Sequence, residues 1–166
     1  MTLPSPRTTF LLMFLAVVFV LGVAFYLEYA QGLEPCPLCI TQRVMFLGIG
    51  LTSLIAFLHN PRGVTQIGRR IYGLLVSLWA IGGLYFSGRQ LWLQTLPEDQ
   101  VPACGPGIGY MVDVFPMSEV IRTLLTGDGN CAEVKWTLLG LSIPGWAAVG
   151  FVGLIVFGVW QAFRKS

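Results

Sequence analysis

Charge is what this sequence has least of. Lysine, arginine, aspartate and glutamate make up 11% of its 166 residues, where a soluble domain carries about a quarter. That excludes an ordinary water-soluble fold, and a hydrophobic share of 55% points the same way. Acidic residues are missing altogether from residues 1–9, 60–70 and 164–166. The net charge of +2 therefore describes a polarised molecule, and nucleic acid is not the implied partner. No G-x-G-x-x-G, Walker, H-E-x-x-H or G-x-S-x-G string occurs, so the usual signatures of nucleotide, zinc-protease and serine-hydrolase sites are lacking. Internal repeats and low-complexity tracts are absent too.

What is present is four apolar runs, at residues 10–27, 44–58, 71–87 and 145–163. Each approaches the ~17–25 residues a helix needs to cross the hydrocarbon core. The second is short, but Ile40 and Thr41 can extend it toward the preceding segment. The expectation is an all-α membrane protein, a bundle of four transmembrane helices with little room for a separate soluble domain. The first run is longer than the apolar region of a signal peptide, and no small-x-small cleavage site follows it, so it reads as a retained helix.

The charges orient the bundle. The N-terminus (1–9), the third non-membrane segment (60–70) and the C-terminus (164–166) hold Arg7, Arg62, Arg69, Arg70, Arg164 and Lys165. The segments at 28–43 and 88–144 hold every acid: Glu28, Glu34, Glu98, Asp99, Asp113, Glu119, Asp128 and Glu133. Arg43, Arg89, Arg122 and Lys135 also lie there, but over much longer stretches. The density of basic residues beside the spans puts both termini in the cytoplasm. The spans then run 10–27, 44–59, 71–87 and 145–163.

All four cysteines, Cys36, Cys39, Cys104 and Cys131, fall in the two acidic, outward segments. An even set outside the cytosol reads as disulfides, and of three connectivities the local one pairs Cys36 with Cys39 and Cys104 with Cys131. Haem attachment needs C-x-x-C-H, and Ile40 follows Cys39. A four-thiolate zinc site typically uses two C-x-x-C pairs, whereas Cys104 and Cys131 are far apart. A structural staple suits Cys104–Cys131, since closing such a loop stabilises by roughly 3–4 kcal/mol in the chain-entropy model. It suits Cys36–Cys39 poorly, because so small a loop removes little entropy. Redox exchange remains, and C-x-x-C is its usual form.

The neighbours of Cys39 support that reading. Pro35 and Pro37 hold the approach extended, and a span starting near Cys39 sets its sulfur at a helix N-terminus, where a thiolate is favoured. Arg43 is at i+4, one turn deeper on the same face, and its guanidinium keeps its proton. An arginine at a span edge often only snorkels, yet this one opposes the positive-inside bias. A fixed donor cation beside a thiolate at the hydrocarbon boundary suits a lipophilic acceptor whose carbonyl oxygens gain negative charge on reduction, a quinone.

In the second outward segment, residues 96–107 are rich in proline and glycine and display Cys104 on exposed backbone without lasting helix. Met117, Val120, Ile121, Leu124 and Leu125 then make the stripe of a helix too short to span. It is expected to lie flat on the membrane surface, with packing on protein as the alternative. Residues 126–130 turn the chain into Cys131 on a movable segment able to approach Cys36.

The four spans, the C-x-x-C with its arginine, the second outward pair and the strings WLQTLP, VPACGPG and GDGNCAE resemble the disulfide bond formation protein B (DsbB) family over nearly the whole chain. The resemblance implies a bacterial inner-membrane enzyme that reoxidises a periplasmic, thioredoxin-fold DsbA and reduces ubiquinone or menaquinone, with no metal. It implies two periplasmic loops and four redox-active cysteines. The partner's thiol attacks Cys104, Cys131 is released to attack Cys36, and Cys39 is left facing the quinone beside Arg43. One position departs from the pattern: some members carry a histidine near the outer end of the third span, and Gln90 aligns there. His59 is on the cytoplasmic side and cannot replace it, and neither Arg89 nor Gln90 is given a role. A membrane scaffold with inert structural disulfides is the reading from another class, and a zinc-binding adaptor the third.

Overall fold

The computed structural model describes residues 5–59 and 66–164. Four long helices dominate it: α1 (Pro6–Tyr29), α2 (Pro37–His59), α3 (Gln66–Leu93) and, after the second outward segment, α6 (Ile143–Phe163). At 1.5 Å per residue each is about 30 Å long or more, enough to cross the hydrocarbon core. The short elements are α4 (Ile108–Val114), α5 (Met117–Thr126) and a two-stranded hairpin, β1 (Thr137–Leu138) and β2 (Leu141–Ser142). The hairpin turns at Leu139 and Gly140, both with positive φ, and runs straight into α6. The all-α four-span bundle expected from the sequence is what forms.

The helices overrun the apolar runs that announced them. α1 starts at Pro6, with the Ser5 hydroxyl accepting from the Thr8 N–H, as an N-cap and a first-turn proline allow. α3 takes in Arg69 and Arg70 at one end and Arg89 and Gln90 at the other, because long polar side chains at span ends keep the backbone helical while reaching polar partners. α2 begins at Pro37, so Cys39 through Arg43 are helical. Arg62 and Lys165, which entered the charge argument, lie outside the described residues.

α3 is the centre of the bundle, packed along α6 and α2, while α1 leans on α2. Between helices in lipid, small residues allow the close backbone approach that contributes most of the attraction. A Cβ on Gly73 would stand 2.7 Å from the Gly158 carbonyl oxygen, and one on Gly83 would collide with the Phe151 ring. Phe151 in turn stacks on Phe46, centroids 4.0 Å apart. They belong to a core of Phe10, Met13, Val17, Ile49, Val76 and Leu154. The outer faces are apolar as well, with Phe19, Leu51 and Leu78 all well exposed, as a bundle solvated by acyl chains requires. A second, smaller apolar cluster of Cys36, Leu38, Phe86, Leu93 and Cys131 closes the opposite end.

α5 divides the stripe read from its sequence. Val120 is buried toward the protein, whereas Met117, Ile121 and Leu125 remain half-exposed. Thr41 Oγ1 in α2 donates to the Leu124 carbonyl at 2.6 Å, which fixes the end of α5 on the first turns of α2. Gly127, with φ 78°, then turns the chain so closely over Leu38 that a Cβ there would stand 2.8 Å from it.

The α3–α6 seam gives a stability test. Gly83→Val is expected to cost about 1–3 kcal/mol through overpacking, read from unfolding of the purified protein in detergent. Gly153→Val, at a position with nothing within 4 Å, is expected to stay within about 0.5 kcal/mol of the parent. Equal losses in the two would contradict the seam.

Candidate functional site

The site is built on the start of α2. Cys36 is the residue before the helix, and the Cys39 N–H donates to its Sγ at 3.4 Å while the Ile40 N–H donates to its carbonyl at 3.1 Å. Cys36 thus caps the helix with its sulfur, and Pro37, lacking an N–H, opens the first turn at no hydrogen-bonding loss. The Cys36 and Cys39 Sγ atoms stand 3.0 Å apart, as unbonded thiols.

The third sulfur arrives from the second outward segment. Asp128 caps the turn Gly129–Cys131, accepting from the Asn130 N–H at 3.1 Å. Cys131, fully buried, joins Cys36 and Leu38. The hydrogen bonds of Cys36 with Cys131 and then Cys39, with burial added, push the Cys36 thiol well above its ordinary value. The bond from Cys36 pulls Cys131 down, helped by the backbone at Leu38 and Asp128 and opposed by burial. That contact therefore favours the proton on Cys36 over Cys131 when both are thiols.

Cys104 is held alongside but outside. The Gly129 N–H donates to the Ala103 carbonyl at 3.2 Å, and Asn130 Nδ2 to the Gly105 carbonyl at 3.0 Å. Gly129 needs to lack a side chain, because a Cβ there would meet the Cys104 Sγ at 2.9 Å. So the structure gathers Cys36, Cys39 and Cys131, and presents Cys104 exposed on the strip hydrogen-bonded to the Cys131 turn.

Arg43 is one turn below Cys39, as its spacing requires, but its hydrogen bonds run to α1. Nη1 pairs with the Glu28 carboxylate, Nη2 donates to the Ala24 carbonyl at 3.2 Å, and the guanidinium lies 5.1 Å from the Phe25 ring centroid. What touches the sulfurs is Gln90 of α3. Its Nε2 donates to Cys36 Sγ at 3.2 Å and Cys39 Sγ at 3.4 Å, and its Oε1 accepts from Gln42 Nε2 at 2.8 Å. Gln42 was not singled out from sequence and Gln90 was left without a role. Two uncharged amides 48 residues apart carry no local pattern; the only signal was their polarity at the edge of apolar runs. Arg89 turns away, to the Thr126 carbonyl and over Trp92.

Cys39 and Arg43 open on a cavity of about 560 Å³. Its walls come from α1 (Val20, Ala24, Leu27), α2 (Phe46), the 133–136 stretch and the start of α6 (Trp146). A mostly apolar cavity with a few polar groups is the usual form of a small-molecule site, and Gln42, Arg43 and Gln90 are among the polar residues lining this one.

A sequence model described as disulfide bond formation protein DsbB matches residues 6–161. Proteins named disulfide bond formation protein B from Marinobacter nauticus and Saccharophagus degradans are 57% and 52% identical to this chain. The first alignment covers 97% of this chain and 94% of the relative, the second 99% and 97%. Disulfide bond formation protein B 1 of Pseudomonas aeruginosa is 50% identical over the full length of both. The chain belongs to the DsbB family.

Exposure separates the four thiols. In the reduced protein, Cys104 should be alkylated by a bulky maleimide at least about tenfold faster than Cys131, because reaction needs an accessible thiolate. Peptide mass spectrometry on a time course reads this directly. Equal rates for the two would contradict the buried placement of Cys131.

Proposed function

We propose that this member of the family is an inner-membrane, quinone-dependent protein-disulfide oxidoreductase. It reoxidises a periplasmic DsbA-like dithiol protein and passes the electrons through two disulfide pairs to the membrane quinone pool, which sustains disulfide formation in periplasmic proteins. Both termini are cytoplasmic and both cysteine segments periplasmic in this reading. The observation that carries it is the burial of Cys131 against Cys36, beside Cys39, at the mouth of the apolar cavity.

The exchange starts from the pairs Cys36–Cys39 and Cys104–Cys131. A partner thiolate attacks Cys104, the exposed sulfur, forming a mixed disulfide and releasing Cys131 as thiolate. Cys131 attacks Cys36, linking the two loops, and Cys39 leaves as thiolate toward the cavity. The partner's second thiolate resolves the mixed disulfide and departs oxidised, releasing Cys104. Cys104 attacks Cys131, restoring their pair and freeing Cys36. Each step makes one S–S bond and breaks one, as thiol–disulfide exchange requires. The step between the loops is supported by geometry, since Cys131 is buried in one cluster with Cys36, with Cys39 packed against it.

The cavity suits a quinone head group: it is apolar, lipid-sized and bounded by Cys39 and the donor Arg43. When bound, ubiquinone or menaquinone supplies the two-electron, two-proton acceptor that lets Cys36–Cys39 re-form. Arg43 is the group to hold a carbonyl oxygen, and Glu28 keeps that guanidinium at the α1 side of the cavity. Apolar side chains around it exclude water, which strengthens any charge interaction inside.

Turnover is tested with the detergent-purified protein, a reduced thioredoxin-fold oxidant and a soluble ubiquinone or menaquinone analogue. Quinone reduction is expected, abolished by Cys39→Ser or Cys104→Ser. Arg43→Ala is expected to raise the quinone KM about tenfold, the loss of one charge-assisted hydrogen bond. No reduction of either analogue, with both cysteine pairs unreactive, would overturn the reading.

A further inference from the structure

The amides of Gln42 and Gln90 meet in the seam between α2 and α3, 4% and 3% exposed. Burying two carboxamides among apolar residues such as Leu38, Phe86 and Leu93 is unfavourable unless each finds a hydrogen-bond partner. Gln42 Nε2 takes the Gln90 carbonyl oxygen at 2.8 Å. With its oxygen so engaged, the Gln90 amide has its NH2 end turned toward the sulfurs, where two N–H groups face two acceptors, at 3.2 and 3.4 Å.

A hydrogen bond to sulfur is strong when the sulfur is charged and weak when it is in a disulfide. The same amide also serves the thiol form, since Cys39 Sγ stands 3.6 Å from Gln90 Oε1 and can donate to it. Both reduced forms thus gain from Gln90, and the disulfide gains little. The neighbouring cation does not duplicate this, because the hydrogen bonds of Arg43 run to Glu28 and Ala24.

We propose that Gln90 is a catalytic residue that stabilises the reduced Cys36–Cys39 pair through its amide donors, and that Gln42 is the positioning residue that orients it. The pair is thereby made easier to reduce by an incoming thiolate such as Cys131. The inference deepens the redox reading of Cys36–Cys39 and rests on it.

The test is the equilibrium of that pair with glutathione, in full-length protein carrying Cys104→Ser and Cys131→Ser so that one pair remains. Two glutathione thiols reduce the disulfide, giving the dithiol and one glutathione disulfide, and alkylation with a mass tag reads the reduced fraction. Gln90→Met is expected to shift the equilibrium about tenfold toward the disulfide, and Gln42→Met about threefold. Because Gln42 acts through Gln90, the double variant should shift no further than Gln90→Met alone. A shift under twofold in Gln90→Met, or a Gln42→Met effect undiminished when Gln90 is absent, would overturn the proposal. Should Gln90→Met fail to fold, an unshifted Gln42→Met overturns it equally. A parent pair that does not cycle with glutathione at all would instead overturn the redox reading beneath it.

Discussion

The docking of the second outward segment on the first turns of α2 is the contact on which the proposed chemistry depends. Thr41 binds the Leu124 carbonyl, Gly127 turns over Leu38, and the chain then delivers Cys131 to Cys36. Cys36 and Cys39 are a single turn apart and meet by local geometry alone. Cys131 is ninety-odd residues away in sequence, and only this docking brings it there. The Thr41 hydroxyl also lies 3.2 Å from the Pro37 carbonyl, so it ties the end of α5 to the first turn of α2.

The proposed relay, placed at the end of a membrane bundle, would resolve a physical conflict. Thiol exchange with another protein needs exposure and movement, whereas delivery to a lipid-soluble acceptor needs an apolar, water-poor wall. Cys104, exposed among prolines and glycines, meets the first need, and Cys39, opening on the apolar cavity, meets the second. Cys131 and Cys36 lie between, both buried. The rigid part of this arrangement is the bundle, locked by glycine contacts between α3 and α6. The outward segment is held by backbone hydrogen bonds, by Asp128 and Asn130, and by Thr41 of α2.

The fold was legible because a bilayer leaves the chain few choices: four apolar runs of spanning length can only be helices when open sheet edges are forbidden. The α5 stripe and the position of Cys39 near a helix start were legible for the same reason, being local periodicities and turn chemistry. The partners of Arg43 and of the sulfurs were not. Glu28 lies on α1, before the proline turn that reverses the chain, and Gln90 lies on α3, beyond an entire span and its return. Which polar residue meets which depends on how the helices rotate against each other. The close approaches at those seams involve Gly50 against Val17 between α1 and α2 and Gly48 against Trp79 between α2 and α3, and their role emerges only from the packed pairs. Arg43 was expected beside the thiol as a fixed donor cation; its hydrogen bonds run to a carboxylate and a carbonyl of α1, and a neutral amide makes the hydrogen bonds to the sulfurs.

The most direct measurement concerns the one long-range contact between sulfurs. In a Cys39→Ser/Cys104→Ser protein only Cys36 and Cys131 remain, and mild oxidation of the folded chain in detergent should join them quantitatively. The linked peptides would then be seen by mass spectrometry. Folded protein in which both thiols stay separately alkylatable after oxidation would contradict the convergence of the two loops on which the relay is built.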